Sequence, residues 1–272
     1  GACGTDGKVT LAAGENKTCT ITNTRLPTLK VDKVLVPSTD SGKFDLKIDG
    51  VTKKADAGHG DSTGPVVVSI GEHTVSEAAG SGTNLANYSS VIGGACGTDG
   101  KVTLAAGENK TCTITNTRRG TIIVEKQTEP DAAVGSFTFT GDVSGTISDG
   151  QQIVVSDLEP GTYSSTESDP GPGFYLSSIV CDDGGSANPS SGDLGARKAT
   201  FNLDAGEAVK CTFTNTLRSG KFVVKKDFIP DSAASVSVSL TCTSGTVITT
   251  PLLASELVPA VFSVEDFADG TT

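Results

Sequence analysis

What this sequence lacks narrows it first. Across 272 residues there is no tryptophan, and there are only three tyrosines and two histidines. Aromatic rings anchor most glycan and protein recognition sites, so their scarcity weighs against a dedicated binding module. His59 and His73 stand in unlike contexts, which leaves no Ser-His-Asp or Cys-His set to argue for. No C-x-x-C spacing suited to metal or redox chemistry occurs, and no phosphate-cradling glycine loop. Basic excess is missing as well. The formal charge of −11 argues against nucleic acid and anionic membrane as partners, since both demand a basic face. No apolar run reaches the roughly 20 residues that a membrane span requires. Gly1 falls inside a repeat unit, so the lack of a secretion leader there carries no weight. Helical periodicity is absent too, while Gly, Ser, Thr, Val and Asp are plentiful and turn residues punctuate the chain. That composition is all-β.

What is present is repetition. Residues 1–25 return as residues 94–118 without a single change. Their closing run, Lys17-Thr-Cys-Thr-Ile-Thr-Asn-Thr24, recurs as Lys110–Thr117 and, altered, as Lys210–Thr216. A repeat of this kind governs the fold reading. It divides the chain into the closing strands of a preceding domain (1–25), two complete domains (26–118 and 119–218) and the opening part of a further one (219–272). Units near 100 residues match an ordinary small domain. The joints at Arg25-Leu26-Pro27, Arg118-Arg119-Gly120 and Arg218-Ser219-Gly220 are only two or three residues long, which predicts a rod rather than loosely strung beads.

The cysteines follow the same period. Cys3/Cys19 and Cys96/Cys112 share one spacing, and Cys181/Cys211 bracket the corresponding strands of the next unit. One pair per unit end fits a disulfide in an oxidising, extracellular setting, and buried free thiols are the alternative. Each bond would contribute on the order of 3 kcal/mol if unstrained. Cys242 is left over, and its partner is expected beyond Thr272.

Strand parity then exposes an anomaly. The three openings are Thr28-Leu-Lys-Val-Asp-Lys-Val34, Thr121-Ile-Ile-Val-Glu-Lys126 and Lys221-Phe-Val-Val-Lys-Lys226, each with a proline four residues after the lysine. Side chains alternate strictly along a strand, so Lys33 points with Leu29 and Val31, Lys126 with Ile122 and Val124, and Lys226 with Phe222 and Val224. A glutamate shares the inward face of a middle strand, Glu77 with Val75 and Glu167 with Tyr163. An asparagine does so on the last strand: Asn23 with Cys19 and Ile21, then Asn116 and Asn215 in the later copies. Each complete unit thus offers Lys, Glu and Asn toward its core.

Burying such groups is costly, and one chemistry uses all three. Burial lowers a lysine's pKa and frees its amine as a nucleophile. Burial also keeps the glutamate protonated, ready to polarise the carboxamide and shuttle protons as ammonia departs. The product is an amide between the Lys and Asn side chains, formed once per domain with contact supplying the effective molarity. Such a chain is not an enzyme in the turnover sense. The plain alternative is a hydrogen-bonded cluster with no bond made, or a lysine that snorkels from the sheet edge.

The x-V-x-K opening, the G-x-x-x-x-x-E middle and the C-T-[IF]-T-N-T close resemble the Cna-B/prealbumin-like domains of bacterial surface proteins, over essentially the whole chain. The resemblance implies seven-stranded β-sandwiches of transthyretin or inverse-immunoglobulin type, many with Lys–Asn isopeptide bonds. In this chain those would be Lys33–Asn116 and Lys126–Asn215, assisted by Glu77 and Glu167, with Lys226 and Asn23 the matching residues of the incomplete units. The cysteines depart from the pattern of many such relatives. The expected role is a segment of an extracellular stalk or filament on a bacterial surface. Its partners would be neighbouring domains of the array or other copies of the chain. An adhesin module with a glycan or protein ligand, and a subunit polymerising by strand complementation, are the alternatives. No cofactor or metal is expected: Asp182-Asp183-Gly-Gly lacks the spaced ligands of a calcium loop.

Overall fold

The computed structural model describes residues 3–267, 271 and 272. By its internal contacts the chain divides into two compact units. One carries strands β1 (Thr28–Val36), β2 (Phe44–Ile48), β3 (Val51–Ala57), β4 (Val66–Val67), β5 (Gly71–Ala79), β6 (Tyr88–Gly94), β7 (Lys101–Leu104) and β8 (Asn109–Arg118). They form two sheets, in the orders β4-β1-β8-β6 and β3-β2-β5-β7. Leu29, Val31 and Ile114 from the first sheet meet Leu46, Ile48, Val75, Val102 and Leu104 from the second in one buried cluster. The alternation that predicted these strands is the alternation that fills the core.

The second unit opens with a sandwich of the same plan. Its strands are β9 (Gly120–Glu129), β10 (Phe137–Gly141), β11 (Gly145–Ile147), β12 (Gln152–Leu158), β13 (Gly161–Glu167), β14 (Phe174–Asp182), β15 (Ser191–Asp193), β16 (Lys198–Leu203) and β17 (Ala208–Leu217). The sheets run β12-β9-β17-β14 and β11-β10-β13-β16-β15. Phe139 and Phe213 meet edge to face across the core, 5.0 Å between ring centres. The seven-strand frame implied by resemblance is present in both sandwiches, with short edge additions: β3 and β11 pair with the second strand of their sandwich, and β15 extends the second one further. The β2–β3 hairpin turns on Asp49-Gly50, both at positive φ (52° and 76°), the backbone that a two-residue turn of matching twist requires.

The first and last strands of a sandwich lie side by side. In the second, β9 and β17 run parallel, pairing Thr121 with Ala208 through to Glu129 with Thr216. In the first, β1 and β8 are likewise neighbours, and Thr28 donates to the Glu108 carbonyl (2.9 Å) as Thr121 does to that of Glu207 (2.9 Å).

The remaining strands are β18 (Ser219–Val224), β19 (Val236–Val238), β20 (Thr246–Val247), β21 (Leu252–Ala254) and β22 (Ala260–Glu265), in sheets β18-β22-β20 and β19-β21. They enclose a small cluster around Phe262. The inward parity expected of Phe222 is not realised, because that residue is 53% exposed. Among the described residues no strand beside β18 takes the place that β8 and β17 hold, so the face stays open.

Residues 3–25 form no strand, although their sequence is that of 96–118. Ile21 is 87% exposed whereas its counterpart Ile114 is fully buried. A period-two pattern needs a neighbouring sheet to become a half-buried strand. This twin pair yields a prediction. Ile114→Ala should destabilise the first sandwich by about 2–5 kcal/mol, and Ile21→Ala should change it by less than about 0.5 kcal/mol. Urea unfolding followed by circular dichroism separates the two, and equal effects would contradict the placement of either segment.

Candidate functional site

In the first sandwich Lys33 projects from the middle of β1 into the apolar core and is 1% exposed. Its Nζ donates to Glu77 Oε2 (2.8 Å) on β5 and to Asn116 Oδ1 on β8. The Asn116 amide nitrogen donates to the other carboxylate oxygen of Glu77 (2.9 Å). The glutamate therefore bridges amine and carboxamide, one oxygen to each, and the triangle is closed. Ser90 on β6 also donates to Glu77 Oε1 (2.9 Å). The ammonium sits 4.0 Å from the centre of the Phe44 ring, a cation–π contact that partly replaces lost water.

The second sandwich gathers the same three side chains in deeper burial. Lys126 pairs with Phe213 across the parallel register and Asn215 with Thr128, so Lys126 and Asn215 lie two positions apart on the same inward face. Glu167 comes from the opposite sheet, with its Oε1 3.8 Å from Lys126 Nζ and both side chains wholly enclosed. Lys126 Nζ donates to the carbonyls of Gln127 (2.7 Å) and Phe213 (3.0 Å) and lies 4.3 Å from the Phe137 ring centre. Both carboxylate oxygens of Glu167 and both amide atoms of Asn215 are buried without a hydrogen-bond partner. Each orphaned polar group of this kind costs about 1–3 kcal/mol.

Burial pulls the proton equilibria toward neutral forms. Desolvation lowers the pKa of Lys33, opposed by its contact with Glu77. It lowers that of Lys126 to about 8, opposed by the charges of Glu167 and Asp149. Desolvation also raises Glu167, opposed chiefly by Lys126. A neutral amine beside a protonated acid is the pairing that acyl transfer to an amine requires.

The other nominated residues are not gathered in this way. Lys226 lies beyond the end of β18, half-buried, donating to the Asp227 carbonyl and stacked 3.9 Å from the Phe228 ring centre. Asn23 is exposed. Neither meets a carboxylate-carboxamide set among the described residues, since no strand of a completed sandwich faces either one. Three disulfides are formed, Cys3–Cys19, Cys96–Cys112 and Cys181–Cys211, and Cys242 is a free thiol. Cys181 and Cys211 face each other directly across β14 and β17.

Sequence reasoning missed Ser90 and the ring beneath each lysine, Phe44 and Phe137. The rings could have been found, because each is the first apolar residue of the second strand in its sandwich. Ser90 gives no signal without the fold. His73 is also better partnered than its sequence context suggests. Its Nδ1 lies 2.7 Å from Asp49 Oδ2, and its Nε2 lies 2.9 Å from the Ser69 carbonyl and 3.4 Å from the Ser69 hydroxyl. The hydrogen bond to Asp49 raises the imidazole pKa. Oxygen atoms facing both nitrogens hold the ring as a latch between two turns. Among the described residues no cluster of potential metal ligands occurs, and no helix is long and apolar enough to cross a membrane.

The lysine shift carries a pH signature. Folded Lys126 loses its proton near pH 8, whereas the unfolded side chain holds it to about pH 10.4. The unfolded state therefore binds more protons in that interval, and stability must rise with pH there, the burden of the buried charge being full below pH 8. In Asn215→Ala, where the amine stays free, the urea midpoint of the second sandwich should climb between pH 8 and pH 10. Adding Lys126→Met should flatten the profile. A flat profile in the single variant would contradict the burial of a free amine.

Two family models of the same description, Prealbumin-like fold domain, match residues 29–114 and 122–217, and between them they cover well over half the chain. No curated protein matches the chain in sequence. Among solved structures, the Bacillus anthracis TIE protein is similar at 14% identity with a TM-score of 0.35, over 89% of this chain. The chain spans only 44% of that protein's length. A major pilin of Streptococcus pyogenes is similar at 14% identity and a TM-score of 0.32, covering 72% of this chain and 98% of the pilin. A C-terminal fragment of the pilus adhesin SpaC from Lactobacillus rhamnosus GG shows 14% identity and a TM-score of 0.26, covering 71% and 98% respectively.

Proposed function

The chain belongs to the prealbumin-like fold domains of bacterial surface proteins, arranged in tandem, and from that premise we propose that it is a load-bearing segment of an extracellular stalk or filament. Each complete sandwich is stapled by a disulfide and by an amide between Lys33 and Asn116 or between Lys126 and Asn215. The observation that carries this reading is the closed triangle in the first core, where Glu77 holds the amine on one oxygen and the carboxamide on the other.

The contacts in the first core support the following reaction. The neutral Lys33 amine attacks Asn116 Cγ, and Glu77, which accepts from Nζ on one oxygen and from Asn116 Nδ2 on the other, takes up the amine's proton. The carboxyl group relays the amine's proton to the departing nitrogen, the Cγ–Nδ2 bond breaks, and one ammonia leaves for each C–N bond formed. Contact within a packed core supplies the entropy of approach. Glu167, with Oε1 3.8 Å from Lys126 Nζ, takes the same role for Lys126 and Asn215. Each site reacts once, and forming its bond needs no external substrate.

The placement also suits tension. Force enters a sandwich at its first strand and leaves at its last, and these strands are neighbours. A covalent link from residue 33 to residue 116 bypasses nearly everything between them, so pulling extends only the short stretches outside the link. The scarcity of aromatic rings favours this structural role over recognition of a glycan or protein.

Intact mass under reducing conditions tests the reading. The chain should be lighter than its sequence by one ammonia, about 17 Da, for each of two bonds. Glu77→Ala and Glu167→Ala should each restore one increment while the disulfides still form. A chain of full sequence mass would remove the covalent version and leave hydrogen-bonded cores.

A further inference from the structure

The two cores share a lysine, a glutamate and an asparagine, but they differ in what holds the acid. In the first, the Glu77 side chain is 10% exposed, and Ser90 on β6 donates its hydroxyl to Oε1 (2.9 Å). That same oxygen takes the Asn116 amide nitrogen, while Oε2 takes Lys33 Nζ. A glutamate carboxylate turns readily about its last bond, which exchanges the two oxygens. A third hydrogen bond, from a side chain fixed on a strand, holds it in one setting. Ser90 is itself exposed, so water could satisfy its hydroxyl. The inward bond is not one that burial demands.

The second core supplies the contrast. At the end of each last strand an arginine covers a tyrosine: Arg118 Cζ lies 6.0 Å from the Tyr88 ring centre, and Arg218 Cζ 5.6 Å from that of Tyr175. Two residues beyond each tyrosine stands a serine, Ser90 in β6 and Ser177 in β14. The position is therefore shared. In β14, however, the register shifts between Leu176, which pairs with Asn215, and Ser178, which pairs with Thr214. A bulge of this kind re-aims the extra residue, here Ser177. Its hydroxyl donates to the Thr214 carbonyl (3.0 Å) and accepts from the Thr216 hydroxyl (3.0 Å), both within its own sheet. Both oxygens of Glu167 are left without a hydrogen-bond partner.

We infer that Ser90 is a positioning residue for bond formation in the first sandwich, fixing Glu77 with Oε2 toward the amine and Oε1 toward the departing nitrogen, and that the bulge at Ser177 deprives the second sandwich of this support. The role rests on the Lys–Asn chemistry proposed above and leaves its balance unchanged: Ser90 keeps its proton, and one ammonia leaves for each amide formed. The carboxylate has to meet two nitrogens at once, and a misplacement of about 1 Å in such a step costs on the order of 100-fold. A hydroxyl that donates to a carboxylate also favours the ionised form, the form that takes up the amine's proton. Around Glu77, β1 presents Lys33, β2 presents Leu46, β6 presents Ser90 and β8 presents Asn116.

Timed bond formation in the full chain tests this. The chain is made in a short pulse of cell-free synthesis under oxidising conditions and shifted to buffers from about pH 5 to 9. Joined peptides carrying Lys33–Asn116 and Lys126–Asn215 are then counted by mass. Ser90→Ala should slow the first bond by about 10- to 100-fold and move the acid limb of its pH–rate profile to higher pH. The second bond, formed in the same tube, should keep its rate. Ser90→Thr and Ser90→Val have one shape, suit a strand and differ only in the hydroxyl. Thr should stay within about threefold of the parent, and Val should behave as Ala. Ser177→Ala should change neither bond. Parent rates and pH dependence in Ser90→Ala and Ser90→Val would overturn the inference and leave the proposed bonds standing. Equal slowing by Thr and Val would overturn it too, as a packing effect. A parent chain that loses no ammonia at either site would remove the proposed bonds, and this role with them.

Discussion

A lysine amine held inside an apolar sandwich is the constraint on which the rest of this structure depends. Lys33 and Lys126 rank among the largest fully buried side chains, in the company of phenylalanine and leucine. An ammonium in such a place needs an acid, a carboxamide or an aromatic face near it, and each core supplies all three. The arrangement of strands follows the same logic. Only a fold that sets the first strand beside the last, with a middle strand of the other sheet across from them, brings these three groups to one point.

The two cores solve the problem differently. In the first, Glu77 keeps a sliver of exposure and is saturated by Lys33, Asn116 and Ser90. In the second, Glu167 and Asn215 are sealed and carry unpartnered polar atoms. A side-chain amide between Lys126 and Asn215 would turn a costly set of isolated groups into a neutral bond. A hydrogen-bonded cluster gives no equivalent relief there. The disulfides serve another purpose. The bond in the first sandwich is internal to the closing segment, and the bond in the second joins two strands of one sheet, so neither links first strand to last.

Much of this was legible from residue order. Parity alone put Lys33 with Leu29 and Val31, and Glu77 with Val75, because a strand's alternation admits no other reading. The cysteine spacing gave the three disulfides. Ser90 was not legible, since its link to Glu77 depends on how close β6 comes to the second sheet. The latch of His73 on Asp49 and Ser69 was hidden for a similar reason: it joins two turns that only the folded sheet brings together. Lys226 and Phe222 show the limit of parity, which names the face of a strand but not whether anything covers it.

The duplicated segment draws the line most plainly. Sequence by itself determined that residues 1–25 and 94–118 share one alternation, one disulfide spacing and one asparagine in phase with the apolar residues, because these are properties of backbone geometry and order along the chain. Tertiary structure alone decided that one copy became buried strands and the other remained exposed. Burial and ladder hydrogen bonds are made with neighbouring strands, and a segment's own residues cannot supply them.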